Sequence, residues 1–156
     1  MLAITEADLR SGTLQTRYFS LLLQSAYSQL GREMSETPLI SIVDDDALTR
    51  GGIRDLVESL GYNAVTFKSA EHFLESSLVA DTTCLIADVQ MPGLDGLKSQ
   101  EALQSEVRHL PIILITAYPN EKHRSRALDG GAVGFLSKPF NEDSLIRCLT
   151  AAIKPR

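Results

Sequence analysis

From Leu39 onward, short apolar segments rich in β-branched residues alternate strictly with amphipathic stretches. That alternation limits the chain to very few folds. "LISIV", "NAVTF", "TTCLIAD", "PIILIT" and "AVGFLS" read as buried strands. Between and after them lie "ALTRGGIRDLVESLG", "AEHFLESSL", "LKSQEALQSEV", "EKHRSRALDGG" and "NEDSLIRCLTAAI", which read as helices. In the first of these we place Leu48, Ile53, Leu56, Val57 and Leu60 on one apolar face, with Gly61 as terminator. Ser69 and Asn141 stand where N-caps belong. The Gly51-Gly52 pair inside the first helix costs about 1 kcal/mol per glycine relative to alanine, and close packing is the only reason the sequence suggests for it. Strands and helices in strict alternation predict a parallel sheet covered by helices on both faces.

Residues 1–36 stand apart from this pattern, which divides the chain into an N-terminal helical extension (1–36) and an α/β domain (37–156). "TLQTRYFSLLLQSAYSQLG" carries Phe19, Leu22, Leu23, Ala26 and Leu30 near one face and predicts a helix. Three readings stay open for it: an accessory helix, a dimer-forming helix, or a stretch ahead of a true start at Met34. The formal net charge of −5 gives no bulk attraction for nucleic acid or anionic lipid, so no direct nucleic-acid binding is expected. No apolar run approaches the roughly 20 residues a membrane helix needs, and no secretory signal opens the chain. Cys84 and Cys148 each lie in an apolar segment and read as buried thiols of a reducing compartment. The expected location is the cytoplasm.

In an open parallel sheet, sites form at the carboxyl ends of strands. "ISIVDDDALTR" runs the first strand straight into Asp44, Asp45 and Asp46, three acids with nothing adjacent in sequence to neutralise them. The third strand ends in Asp88, the fourth in Thr116, and the fifth runs to Lys138. Carboxylates gathered in a small volume need a counter-charge to stay ionised. A few hard oxygen donors suit Mg²⁺, which keeps several waters and takes further ligands from phosphate. Asp88 is placed to act as a nucleophile and form an acyl phosphate. Lys138 would neutralise charge on the transferring group, and the Thr116 hydroxyl can donate to one of its oxygens. Asp46 reads as a helix N-cap, favoured by the helix dipole.

From about Leu39 to Ile153 the chain resembles the receiver domain of two-component response regulators, with "PIILITAYPNE" and "GAVGFLSKPF" most similar to FixJ/NarL-like receivers. "VDDD", "LIADVQMPGLDG", "ILITAY" and "GFLSKPF" carry the resemblance in order. It implies a flavodoxin-like (βα)5 fold with sheet order 2-1-3-4-5. It implies that Asp88 is phosphorylated by a sensor histidine kinase or a histidine phosphotransfer protein. Mg²⁺ would be held by Asp44, Asp45, Asp88 and the main-chain carbonyl of Gln90. Thr116 and Phe135 match the family's switch pair, Lys138 its lysine, and Gln90 and Tyr118 the positions that tune phosphoryl lifetime. Lys138-Pro139 would be a cis peptide. A homodimer through helix 4, strand 5 and helix 5 is a further expectation from the family. FixJ/NarL-like receivers usually carry a DNA-binding domain, and none follows "AAIKPR", so this is either a stand-alone receiver or part of a longer regulator.

Plainer readings compete. Asp95 shapes the "PGLDG" turn. Phe135, taken alone, is a core aromatic. His72, His109 and His123 show no ligand spacing and read as surface or boundary residues. A haloacid-dehalogenase-type phosphohydrolase also uses an aspartyl phosphate, but it needs its nucleophile after the first strand and an acid two residues later. Here Gln90 stands two residues beyond Asp88. Flavin binding would want a phosphate-cradling loop where the three aspartates stand. A pseudo-receiver that binds partners without being phosphorylated is the remaining alternative, although such domains tend to lose a site residue and all five are present.

Overall fold

The computed structural model describes residues 19–27, 37–89 and 96–154. The chain divides into two units, Met1–Thr37 and Pro38–Arg156. In the first, residues 19–27 are helical, with Phe19, Leu21, Leu22, Leu23 and Tyr27 all exposed. The expected position of Leu30 on that helix lies outside the described residues.

The second unit is an alternating α/β domain. Its strands are β1 (Leu39–Val43), β2 (Asn63–Phe67), β3 (Cys84–Asp88), β4 (Ile112–Thr116) and β5 (Gly134–Ser137). Its helices are α1 (Ala47–Ser59), α2 (Ala70–Glu75), α3 (Gly96–Glu106), α4 (Glu121–Asp129) and α5 (Glu142–Ile153). The strands form one sheet in the order β2-β1-β3-β4-β5, and every pairing is parallel. This is the flavodoxin-like order that the resemblance implies.

The period-2 alternation of the strands builds two cores. Ile40, Ile42, Cys84, Ile86, Ile113 and Ile115 face α1 and α5, meeting Ile53, Val57, Leu145 and Leu149. Val43, Leu85, Ala87, Ile112, Leu114 and Phe135 face the other way, against Phe73, Leu103, Val107 and Ala127. β1, β3 and β4 are buried on both faces, which is why their segments read as nearly continuous apolar runs.

The caps follow local chemistry. Asp46, Ser69, Asn120 and Asn141 each accept hydrogen bonds from main-chain N–H groups of the helix they precede. Gly61 takes φ +87° just beyond α1, and Gly131 φ +94° beyond α4, conformations in which a Cβ would be strained.

Three local expectations are corrected. Leu48 is 89% exposed and does not share the apolar face of α1. Nine residues at about 100° each put it half a turn from Val57, which is buried. Close packing does not explain Gly51 and Gly52, because a Cβ at either would meet nothing within 4 Å. The second helix stops at Glu75, earlier than its apolar pattern implies, because Ser76 turns to an extended ψ of 150°.

Candidate functional site

The register brings the strand-end residues to one edge. Val43 pairs with Ala87, Asp88 with Ile115 and Thr116 with Ser137, so Asp44, Asp88, Thr116 and Lys138 leave the sheet at adjacent positions. Asp44 is 1% exposed. Its N–H donates to the Phe67 carbonyl, which continues the ladder to β2 by one residue. Its Oδ1 accepts from the Asp46 N–H at 2.8 Å, and its Oδ2 accepts from Lys138 Nζ at 2.8 Å. Lys138 Nζ also donates to Asp88 Oδ2 at 2.9 Å. One ammonium thus bridges two buried carboxylates from the ends of different strands. The Lys138-Pro139 bond is cis, as the resemblance implies.

Asp45 is exposed, and its carboxylate joins those of Asp44 and Asp88 with ligand oxygens all within 4.8 Å of one another. Burial raises the Asp44 carboxyl above its ordinary value, more strongly than the hydrogen bonds from Lys138 and from the Asp46 N–H lower it. Burial also works against the Lys138 ammonium, but the bonds to Asp44 and Asp88 outweigh it and hold the group above its ordinary value. Three carboxylates with one ammonium leave an excess of negative charge on hard oxygen donors. That donor set fits a small divalent cation such as Mg²⁺.

Thr116 is fully buried, and its Oγ1 accepts from the Tyr118 N–H at 3.1 Å. Tyr118 itself is exposed. Phe135, two residues before Ser137 on the neighbouring strand, is buried in the core beneath α4. Asp46 lies apart from the acidic trio in role. Its Oδ1 accepts from the Leu48 and Thr49 N–H groups, and these bonds hold its carboxyl below the ordinary range. Gln90, expected to supply a carbonyl ligand and to tune lifetime, and Asp95, expected to shape a turn, lie outside the described residues. His72 and His109 are exposed and His123 is half-buried. Burial pushes the Cys84 thiol up to about 12, so it stays protonated at neutral pH.

Two sets of residues escaped the sequence. The acids at 44–46 are not without a neighbouring cation: Arg50, one turn into α1, donates from Nη1 to the Asp44 carbonyl at 2.6 Å. An arginine near a helix N-terminus, where the dipole disfavours it, was the available signal. The second set is Gln100 and Gln104 on α3, both buried, which donate to the His123 and Ala127 carbonyls of α4. Since Ala127 is the one buried residue of α4, main-chain hydrogen bonds replace much of the apolar anchoring. The poor apolar face of "EKHRSRALD" was the legible hint.

Comparison with known proteins agrees with this architecture. Residues 40–150 match the response regulator receiver domain. Nodulation protein W of Bradyrhizobium diazoefficiens is 40% identical over 120 residues, covering 77% of this chain and 53% of that protein. Transcriptional regulatory protein FixJ of the same organism is 33% identical over 115 residues, covering 74% of this chain and 56% of that protein. A response regulator receiver protein from Burkholderia phymatum has a solved structure at 39% identity, with a TM-score of 0.62 over 74% of this chain and 94% of that one. The chain spans about half the length of these two curated relatives. Among the described residues no helix is long and apolar enough to cross a membrane. With the strand order, the acidic edge and a family match over most of its length, the chain belongs to the response regulator receiver domains of two-component systems.

Proposed function

We propose that this chain is a cytoplasmic phosphoacceptor switch, with residues 37–156 as the receiver and residues 1–36 as an extension to it. Asp88 accepts a phosphoryl group from the phosphohistidine of a sensor histidine kinase or histidine phosphotransfer protein. A carboxylate oxygen of Asp88 forms the new O–P bond as the N–P bond breaks, and the imidazole nitrogen keeps the electron pair. Asp44, Asp45, Asp88 and the main-chain carbonyl of Gln90 would hold Mg²⁺, which supplies positive charge against the phosphoryl oxygens.

Lys138, already shared between Asp44 and Asp88, is within reach of a phosphoryl oxygen once Asp88 is phosphorylated. The Thr116 hydroxyl donates to another, and Phe135 repacks behind it. Gln90 and Tyr118 set how long the acyl phosphate survives. The new charge favours one of two states of the α4-β5-α5 face, through which copies of the chain would pair. The observation that carries this reading is the Lys138 ammonium bridging two buried carboxylates beside a third.

The test uses beryllofluoride, a phosphoryl mimic, with Mg²⁺ on the parent chain and on Asp88→Asn. Solution mass and amide NMR spectra are recorded together. A Mg²⁺-dependent spectral change that the variant lacks is expected. No spectral change in either protein would sink the phosphoacceptor reading in favour of a binding module. A spectral change without a change in mass would remove only the dimer.

A further inference from the structure

We infer that Arg50 is a positioning residue for the cation site, acting through the Asp44 carbonyl to aim Asp45. This rests on the Mg²⁺ reading above. Each polar group of Asp44 is engaged: its N–H by the Phe67 carbonyl, its Oδ1 by the Asp46 N–H, its Oδ2 by Lys138 and its carbonyl by Arg50. The Asp44 carbonyl lies in the peptide plane that joins Asp44 to Asp45. Holding that oxygen fixes the plane, and with it the point from which the Asp45 side chain departs.

Asp45 has no restraint on its own side chain among the described residues; its following peptide plane is held by the Asp46 N–H bond to Asp44 Oδ1. It is exposed, and no hydrogen bond to its carboxylate is made among the described residues. Yet its oxygen lies within 4.8 Å of those of Asp44 and Asp88, close enough for the three to share a cation. Lys138 and the sheet hold the other two carboxylates; the Arg50 contact holds the peptide plane that precedes the third.

Arg50 is half-buried, and among the described residues it forms no ion pair. Its bond to the Asp44 carbonyl measures 2.6 Å. The guanidinium therefore works as a directed donor to main chain. That role separates cleanly from its charge. A nearby positive charge repels Mg²⁺, so charge alone makes Arg50 unfavourable for metal binding and its removal should tighten the site. A positioning role has the opposite sign.

The experiment is an amide-detected Mg²⁺ titration of the full chain, comparing the parent with Arg50→Ala, Arg50→Lys and Asp45→Asn. Arg50→Ala is expected to weaken Mg²⁺ binding roughly tenfold, within the range for groups that orient metal ligands. It should also broaden or shift the Asp45 and Asp46 amide signals in the absence of metal. Arg50→Lys keeps one donor and the charge, and is expected to restore most of the affinity. Asp45→Asn sets the scale for losing the ligand itself. Affinity unchanged or tighter in a folded Arg50→Ala would overturn the inference while leaving the metal site standing. A parent that binds no Mg²⁺, or that binds it with Asp45→Asn unaffected, would overturn the metal reading and this inference with it.

Discussion

Lys138 Nζ lies 2.9 Å from Asp88 Oδ2, although fifty positions separate the two residues. Two parallel crossovers bring them together: β3 delivers Asp88 to the sheet edge, and β5 delivers Lys138 two strands away. Asp44 closes the pair from the other side at 2.8 Å. A charge shared between buried carboxylates is held firmly in the ground state, and losing it leaves two buried anions facing each other.

Lys138→Gln is therefore expected to lower stability by about 3 kcal/mol in metal-free buffer, since breaking a buried pair leaves uncompensated charge. Urea unfolding at neutral pH measures this. The pH dependence has a definite sign. Lys138 has a folded value above its ordinary 10.5, so its stabilisation is full below that pH and is lost as pH rises through the folded value. The gap between parent and variant should hold steady to about pH 10 and then close. A gap that widened there would contradict the bridging ammonium.

The strand-end constellation was legible because a parallel sheet converges its carboxyl ends, so a residue at the end of each strand, or one step past it, can be placed without knowing a single contact. Asp44, Asp88, Thr116 and Lys138 all follow from that rule. The inner strands β1, β3 and β4 were legible because both faces are buried and little else competes with the apolar pattern. Leu48 was misjudged because an apolar residue near a helix start was assigned to the face by proximity, when its angular position points it away. Arg50 left only its unfavourable place near a helix N-terminus as a signal, for a different reason. A bond from a side chain to a main-chain carbonyl six residues back leaves no periodicity. Gln100 and Gln104 share the face of α3 toward α4, but a glutamine reads as solvent-facing until the neighbour that needs its amide is in place.

Asp46 supplies a second pH signature, opposite in direction to that of Lys138. Its carboxylate accepts from two N–H groups at the start of α1, and its folded value is depressed below 3.8. A depressed carboxyl contributes stability that is present above pH 3.8 and is lost as pH falls through the folded value. Asp46→Asn keeps a capping oxygen without the charge. The variant should be slightly less stable than the parent at pH 6, and the difference should shrink between pH 4 and pH 2.5. Thermal melts across that range check it, and a difference that grew on acidification would rule out the charged cap.

The glycines divide into two groups by what a Cβ would meet. At Gly51 and Gly52 it meets nothing within 4 Å, and neither residue has a positive φ. Replacing either by alanine reduces the freedom of the unfolded chain and suits the helix, so each substitution should stabilise by roughly 0.5–1 kcal/mol. At Gly130 a Cβ would stand 2.8 Å from the Gln104 amide, the group that holds the Ala127 carbonyl. At Gly134 it would stand 2.6 Å from Cys148 Sγ, in the packing between β5 and α5. Alanine at either position must displace a packed side chain and is expected to cost about 1–3 kcal/mol. Urea midpoints for the four single variants should therefore split into two stabilised and two destabilised proteins. The same variants also address α4. If the Gln104 amide anchors that helix, Gly130→Ala should speed hydrogen exchange along α4 while leaving β1 and α1 protected. Uniform acceleration across the domain would instead mean that the Gln104 bond is not a local anchor.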